Sequence, residues 1–143
     1  MIMPTVDDCR LIKFKHDFSK KGYLTPIEFR NIPFYPKRIF YVHGVKQLGI
    51  LEIRGNHAHR ESKQLIICIN SWIKVWADDG KNKIEHRLDS PFIGLYLPPM
   101  IWDTYEMADD MVMLVLTDTY YDKKDYIYDY DEFKRIVNEQ AGH

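Results

Sequence analysis

The sequence predicts an all-β fold, a small antiparallel barrel or sandwich carrying one C-terminal helix. Three observations carry this expectation. Short runs of apolar or alternating residues recur at close spacing, separated by Gly, Pro, Asn and Asp. Aromatic residues make up 14% of the chain, ten of them tyrosines, and Tyr, Ile and Val suit a pleated, half-buried surface. Helical periodicity with a matching cap is found at the C-terminus alone.

Taken in order, "CRLIKF" at 9–14 alternates apolar and polar residues as a half-buried strand does. "KKGYLTPIEFR" turns at Gly22 and continues as an extended segment that Pro26 interrupts. Two prolines in "NIPFYPKRIFYVHGV" argue against a helix, and the aromatic and β-branched run from Arg38 to Val45 predicts a strand. Further strands are expected over 49–54, 57–60, 64–70 and 71–77. "DDGK" then makes a hairpin turn into 83–88, and strands follow over 92–97 and 111–117. Asp129 is expected to cap the final helix, with Glu132 three residues on completing a capping box. Phe133, Ile136 and Val137 form its apolar stripe, which should pack on the outside of a sheet.

At 143 residues the chain is expected to be one domain, 1–143, with a core of its own. A formal net charge of −1 gives no footprint for nucleic acid or an anionic membrane. The longest apolar runs, "LIICI" and "MVMLVL", are far too short to span a bilayer. Asp7 and Asp8 stand where an export signal would need apolar residues. With two cysteines far apart in sequence, Cys9 and Cys68, reduced thiols and a cytoplasmic location are expected.

The chemistry concentrates in "RGNHAHRESKQ", residues 54–64. On a strand, side chains at i and i+2 share a face, so His57 and His59 should project together with Ala58 opposed to them. Such a pair can chelate a metal, work on a bound substrate, or be two surface histidines on an edge strand. Two neighbouring imidazoles resist double protonation, which leaves at least one able to accept a proton near neutral pH.

H-x-H followed by a carboxylate resembles the first metal-binding motif of the cupins. Here Gln64 stands five residues after His59, and Trp102–Asp103 occupy the place of the second motif's histidine. Two imidazoles, a neutral amide and one carboxylate make a poor set for a transition metal, which wants three or four directed donors. No metal is expected.

A narrower resemblance runs through nearly the whole chain. "RGNHAHR" resembles the R-G-x-H-A-H-[KR] signature of the nucleotide-sugar 3,4-ketoisomerases, cupin-like enzymes acting on thymidine-diphosphate 4-keto-6-deoxyglucose. "DFSKKGYLTPIEF", "IPFYPKRIFYV", "LYLPPMIWDTYEM" and "MLVLTDTYYDKKDYIYDYDEF" resemble further blocks of that family in the same order. Three departures stand out. Lys21 replaces a frequent Arg, "KQLGILE" lengthens the approach to Arg54, and Asp103 follows Trp102 where the family commonly has another polar residue.

The resemblance implies a cupin-like jelly roll and an isomerase of deoxyamino-sugar biosynthesis that needs no cofactor. It also implies a dTDP-linked keto-sugar substrate and a homodimer with exchanged N-terminal strands. Moving a ketone from C4 to C3 requires a base for the C3 proton, a relay, and donors for the enediolate oxygen. His59 is the expected base and His57 its relay or enediolate partner, with the order of the two left open. Tyr41 is a candidate hydroxyl donor. Arg54 and Arg38 suit the pyrophosphate because guanidinium forks match phosphate oxygens. Gln64, Tyr96, Trp102 and Asp103 complete the expected substrate contacts, and the tyrosine-rich run from 119 to 130 is read as packing. Two other readings use the same pocket: a module that binds the nucleotide sugar without turning it over, and a metal-dependent cupin enzyme.

Overall fold

Two five-stranded antiparallel sheets face each other in a computed structural model that describes residues 2–45 and 53–142, apart from the side chains of Ile53 and Arg54. The first sheet has the order β1 (Arg10–Lys13), β9 (Ile93–Leu97), β6 (Gln64–Asn70), β11 (Val112–Thr117), β4 (Arg38–Val42). The second runs β12 (Tyr126–Ile127), β5 (Ile53–His59), β10 (Trp102–Met107), β7 (Ile73–Asp78), β8 (Lys83–Leu88). A separate hairpin of β2 (Asp17–Ser19) and β3 (Gly22–Leu24) turns where Gly22 takes φ +116°. The expected strand over 49–54 lies largely outside the described residues, as does the insertion that precedes it.

Period-two alternation sorts the side chains into three layers. Ile66 and Cys68 of β6 and Met113 and Val115 of β11 meet Ile73, Val75, Tyr105 and Met107 of the facing sheet in the central core. The opposite faces are covered too. Leu65 and Ile67 point outward under Phe14, Ile32 and Phe34 of the N-terminal segments. Ala58 and Trp102 point outward under α1 (Tyr130–Ala141), whose Phe133 is fully buried and Val137 nearly so. Burying a phenylalanine in this way contributes about 1.5–3 kcal/mol. Both cysteines are buried and unpaired.

Several elements differ from the sequence expectations. The segment 53–59 is one strand, not the end of one strand and the start of another. A bulge opposite Asp103 and Thr104 absorbs the mismatch, with Gly55 and Asn56 both at positive φ (85° and 57°). Only glycine fits at 55, because a Cβ there would sit 2.7 Å from the Asp103 carbonyl oxygen and 2.8 Å from the Tyr105 ring. β10 and β12 are strands that the sequence reading lacked. Asp129 does cap α1, accepting from the backbone N–H of Asp131 and Glu132. The Glu132 carboxylate makes no reciprocal capping bond and pairs with Arg60 at 3.2 Å instead. No helix among the described residues is long and apolar enough to cross a membrane.

Candidate active site

A cavity of about 160 Å³ opens between the two sheets, walled by Phe40 and Val42 of β4, Gln64 of β6 and Met113 and Val115 of β11. From the other sheet come Gly55, His57 and His59 of β5, Tyr105 and Met107 of β10, and Tyr126 of β12. Its walls are apolar except for the imidazole pair, the Gln64 amide and two phenols.

The alternation of β5 that buries Ala58 against α1 turns both histidines inward. Their rings meet edge to face with centroids 5.0 Å apart. His59 is the more enclosed, with 4% of its side chain exposed against 18% for His57. Both ring nitrogens of His59 are engaged. Nδ1 lies 2.7 Å from Asp125 Oδ2, and Nε2 lies 3.0 Å from the Gln64 amide nitrogen. Asp125 also accepts from the Ser62 hydroxyl at 2.6 Å and from the Glu61 backbone N–H at 2.7 Å. Burial would raise the Asp125 carboxyl, but the bonds from His59, Ser62 and Glu61 outweigh it and hold the group well below the usual carboxylate range. An ionised carboxylate only accepts, so Nδ1 carries the hydrogen and Nε2 accepts from Gln64.

His57 is held differently. Its Nε2 stands 3.7 Å from Asp103 Oδ1, too long for a hydrogen bond, and none of its ring nitrogens bonds a described residue. Tyr126 packs against both imidazoles, with centroids 5.2 Å from His57 and 4.5 Å from His59. Arg38 lies beside two of the wall residues, its guanidinium over the Phe40 and Tyr121 rings and facing the Tyr126 hydroxyl.

The structure thus brings together His57, His59 and Gln64, with Arg38 against Phe40 and Tyr126 of the wall and Asp103 behind His57. It places the other expected residues elsewhere. Tyr41 points away from the cavity with 62% of its surface exposed, because Phe40 and Val42 take the inward positions of β4. Tyr96 lies on the outer face of its sheet against Phe34, under the Arg10 guanidinium. Trp102 faces α1, its ring 5.7 Å from that of Phe133. The Arg54 side chain lies outside the described residues. Asp125, Ser62 and Tyr126 are site residues that the sequence reading did not single out.

As a metal site the arrangement is poor. Gln64 offers a neutral amide already spent on His59 Nε2, and Asp125 bonds the far edge of that ring. Among the described residues no three His, Cys, Asp or Glu side chains converge as a ligand set.

The model of the family "FdtA: WxcM-like, C-terminal" matches residues 7–138. The chain belongs to the FdtA family. One relative of this FdtA-family chain is the TDP-4-oxo-6-deoxy-alpha-D-glucose-3,4-oxoisomerase of Aneurinibacillus thermoaerophilus, 41% identical over 90% of this chain and 91% of the relative. Among solved structures, the sugar 3,4-ketoisomerase QdtA of Thermoanaerobacterium thermosaccharolyticum in complex with TDP superposes with a TM-score of 0.88. It is 34% identical, over 95% of this chain and 98% of that one. WlaRA, a TDP-fucose-3,4-ketoisomerase of Campylobacter jejuni, gives 0.84 at 38% identity, over 92% and 97%. The cupin-like, antiparallel fold expected of the FdtA-family chain is the fold observed.

Proposed function

We propose that this protein is an isomerase that converts a TDP-linked 4-keto-6-deoxyhexose into its 3-keto isomer in deoxysugar biosynthesis. The observation that carries the reading is the paired imidazoles, one pinned by a carboxylate and an amide, the other free on a cavity wall. The likeness to TDP-sugar 3,4-ketoisomerases over nearly the whole chain supports it.

A cavity of about 160 Å³ is well below the roughly 300–1,000 Å³ that encloses a drug-sized ligand. It suits the hexose alone, which leaves the nucleotide outside, with its diphosphate beside Arg38. His57 takes the C3 hydrogen as a proton, since its Nδ1 has no competing partner among the described residues. The C3–H electron pair becomes the C3=C4 bond and the C4 carbonyl pair moves onto O4. The Gln64 amide, which keeps a second N–H beyond its bond to His59 Nε2, faces that oxygen as donor and lowers the cost of its charge. The C3 hydroxyl proton then passes to O4 by way of His59 Nε2, C3=O forms, and the C3=C4 pair takes at C4 the proton that His57 holds. No atom is gained or lost and no electron leaves the sugar. This order exchanges the expected roles of the histidines: His59, with both nitrogens engaged, is better placed as relay than as base.

Incubation with TDP-4-keto-6-deoxyglucose in deuterated water tests the reading. Solvent deuterium in the ring together with a 3-keto product is expected. Binding without exchange would leave a nucleotide-sugar-binding module in its place.

We also propose a homodimer with exchanged N-terminal strands. The β2–β3 hairpin joins neither large sheet among the described residues, and it exposes 70% of Phe18, 67% of Tyr23 and 66% of Leu24. Leu11, Ile39 and Tyr41 add to the uncovered apolar surface of the first sheet. Sedimentation should give twice the 17.1 kDa chain mass; a particle of single-chain mass would dismiss the dimer. Two buried, unpaired cysteines suit the reducing cytoplasm.

A further inference from the structure

Asp103 is the least expected group near the cavity: an acidic side chain with 1% of its surface exposed, at an interior position of a central strand. Isolated charge in such a place is costly unless it is paired. Oδ2 accepts a 2.8 Å hydrogen bond from the Tyr105 hydroxyl. Among the described residues Oδ1 is buried with no hydrogen-bond partner, and the nearest cationic candidate is His57 Nε2 at 3.7 Å. Asp103 is absent from the cavity wall, where His57 and Tyr105 stand in front of it. It therefore cannot act as the substrate contact that its position in sequence suggests.

We infer that Asp103 is a positioning residue for His57: its unpaired Oδ1 receives Nε2–H, orients Nδ1 toward the sugar, and becomes the counter-charge when the ring takes up the C3 proton. A contact of 3.7 Å leaves room for the pair to close only when His57 is charged, whereas the 2.7 Å His59–Asp125 bond is already made. Each imidazole thus has its own carboxyl. One is a loose partner that rewards protonation, and the other is a tight partner that fixes a tautomer.

The chain supports this placement at three points. Asp103 and His57 are direct cross-strand partners in the β5–β10 register. The bulge at Gly55–Asn56 falls immediately beside that pair, and the bare Gly55 leaves space for the Tyr105 ring that carries the hydroxyl to Oδ2. Burial holds the Asp103 carboxyl above its ordinary range, and His57, His59 and the Tyr105 hydrogen bond offset only part of the rise. Among the described residues, the groups facing His57 are His59 on its own strand, Asp103 and Tyr105 on β10, Tyr126 of β12 and Tyr128 just after it. Cys9 of the N-terminal segment also feels the Asp103 charge.

The inference rests on the proposed reaction only for its catalytic consequence, so the test reads the ring directly. The imidazole ¹⁵N resonances of ligand-free wild type, Asp103→Asn and Tyr105→Phe report which nitrogen of His57 carries the hydrogen, with kcat measured in parallel. Wild type should hold that hydrogen on Nε2; in Asp103→Asn the preference should be lost while the His59 tautomer is kept, and kcat should fall ~10-fold, the low end for a lost charge-assisted hydrogen bond. Tyr105→Phe, which keeps the ring and removes only the donor to Oδ2, should give a smaller change of the same sign and covers the case of an Asp103→Asn chain that does not fold. A His57 tautomer that stays in place in the folded variants overturns the inference. Wild type with the His57 hydrogen on Nε2 that yields no 3-keto product would instead overturn the proposed reaction and leave the His57–Asp103 pair standing.

Discussion

Replacing His57 with asparagine should lower kcat by ~10²–10⁴-fold, the range that a positioned general base supplies, while leaving TDP affinity within about threefold. Asparagine approximates the volume of the ring edge and can still hydrogen-bond, but it cannot take a proton at neutral pH. The proposed arrangement has the nucleotide outside the cavity near Arg38, so its binding should not depend on the imidazole. Deuterium wash-in at C3 must vanish with turnover, because both need the same proton transfer. Stopped-flow turnover, calorimetric TDP binding and isotope incorporation, measured on one preparation, separate the possibilities. A His57→Asn enzyme within threefold of wild-type kcat would sink the assignment. Wash-in retained by His57→Asn and lost by His59→Asn would return the base to His59, the order first expected from the sequence.

That order could not be decided from sequence for a physical reason. The H-x-H spacing fixes that both rings share a face, and Gln64 follows by the same parity from the interior run of β6. What distinguishes the two rings is Asp125, which reaches His59 from a turn 66 residues away within a run read as packing. Tyr41 shows the complementary weakness. In "RIFYV" both alternating sets are apolar or aromatic, so period two marks a strand without saying whether Phe40 and Val42 or Ile39 and Tyr41 face inward. β6 and β8 were legible to the residue, the first as a continuous apolar run and the second behind a turn-forming Asp-Asp-Gly-Lys. β10 was hidden because it follows two prolines and carries an acid at an interior position. β12 has two residues, too few to show any period. The strand most damaged as a pattern is the one that carries Asp103, where a polar group was placed inside at the expense of regularity.

Asp125→Asn should lower kcat by ~10²-fold, at the low end of the range for proton-transfer groups, and destabilise the fold by about 1–3 kcal/mol. The native carboxylate accepts from three donors: the His59 ring, the Ser62 hydroxyl and the Glu61 backbone N–H. An asparagine has one acceptor oxygen, so its NH₂ must confront at least one of them. If it faces His59, the ring shifts its hydrogen to Nε2, and that hydrogen then meets the Gln64 amide unless Gln64 turns its carbonyl inward. Either rearrangement alters the donors that face O4. The pH dependence follows from the depressed carboxyl. A group whose folded pKa lies below its unfolded value stabilises the fold fully above the unfolded pKa, about 3.9 for Asp, and the contribution fades as pH falls toward the folded value. The Tm gap between wild type and Asp125→Asn should therefore be widest near neutrality and narrow below about pH 4. A gap independent of pH would mean that the variant acts through packing. Unchanged turnover with a narrowing gap would mean that Asp125 holds the fold and leaves the tautomer of His59 to Gln64.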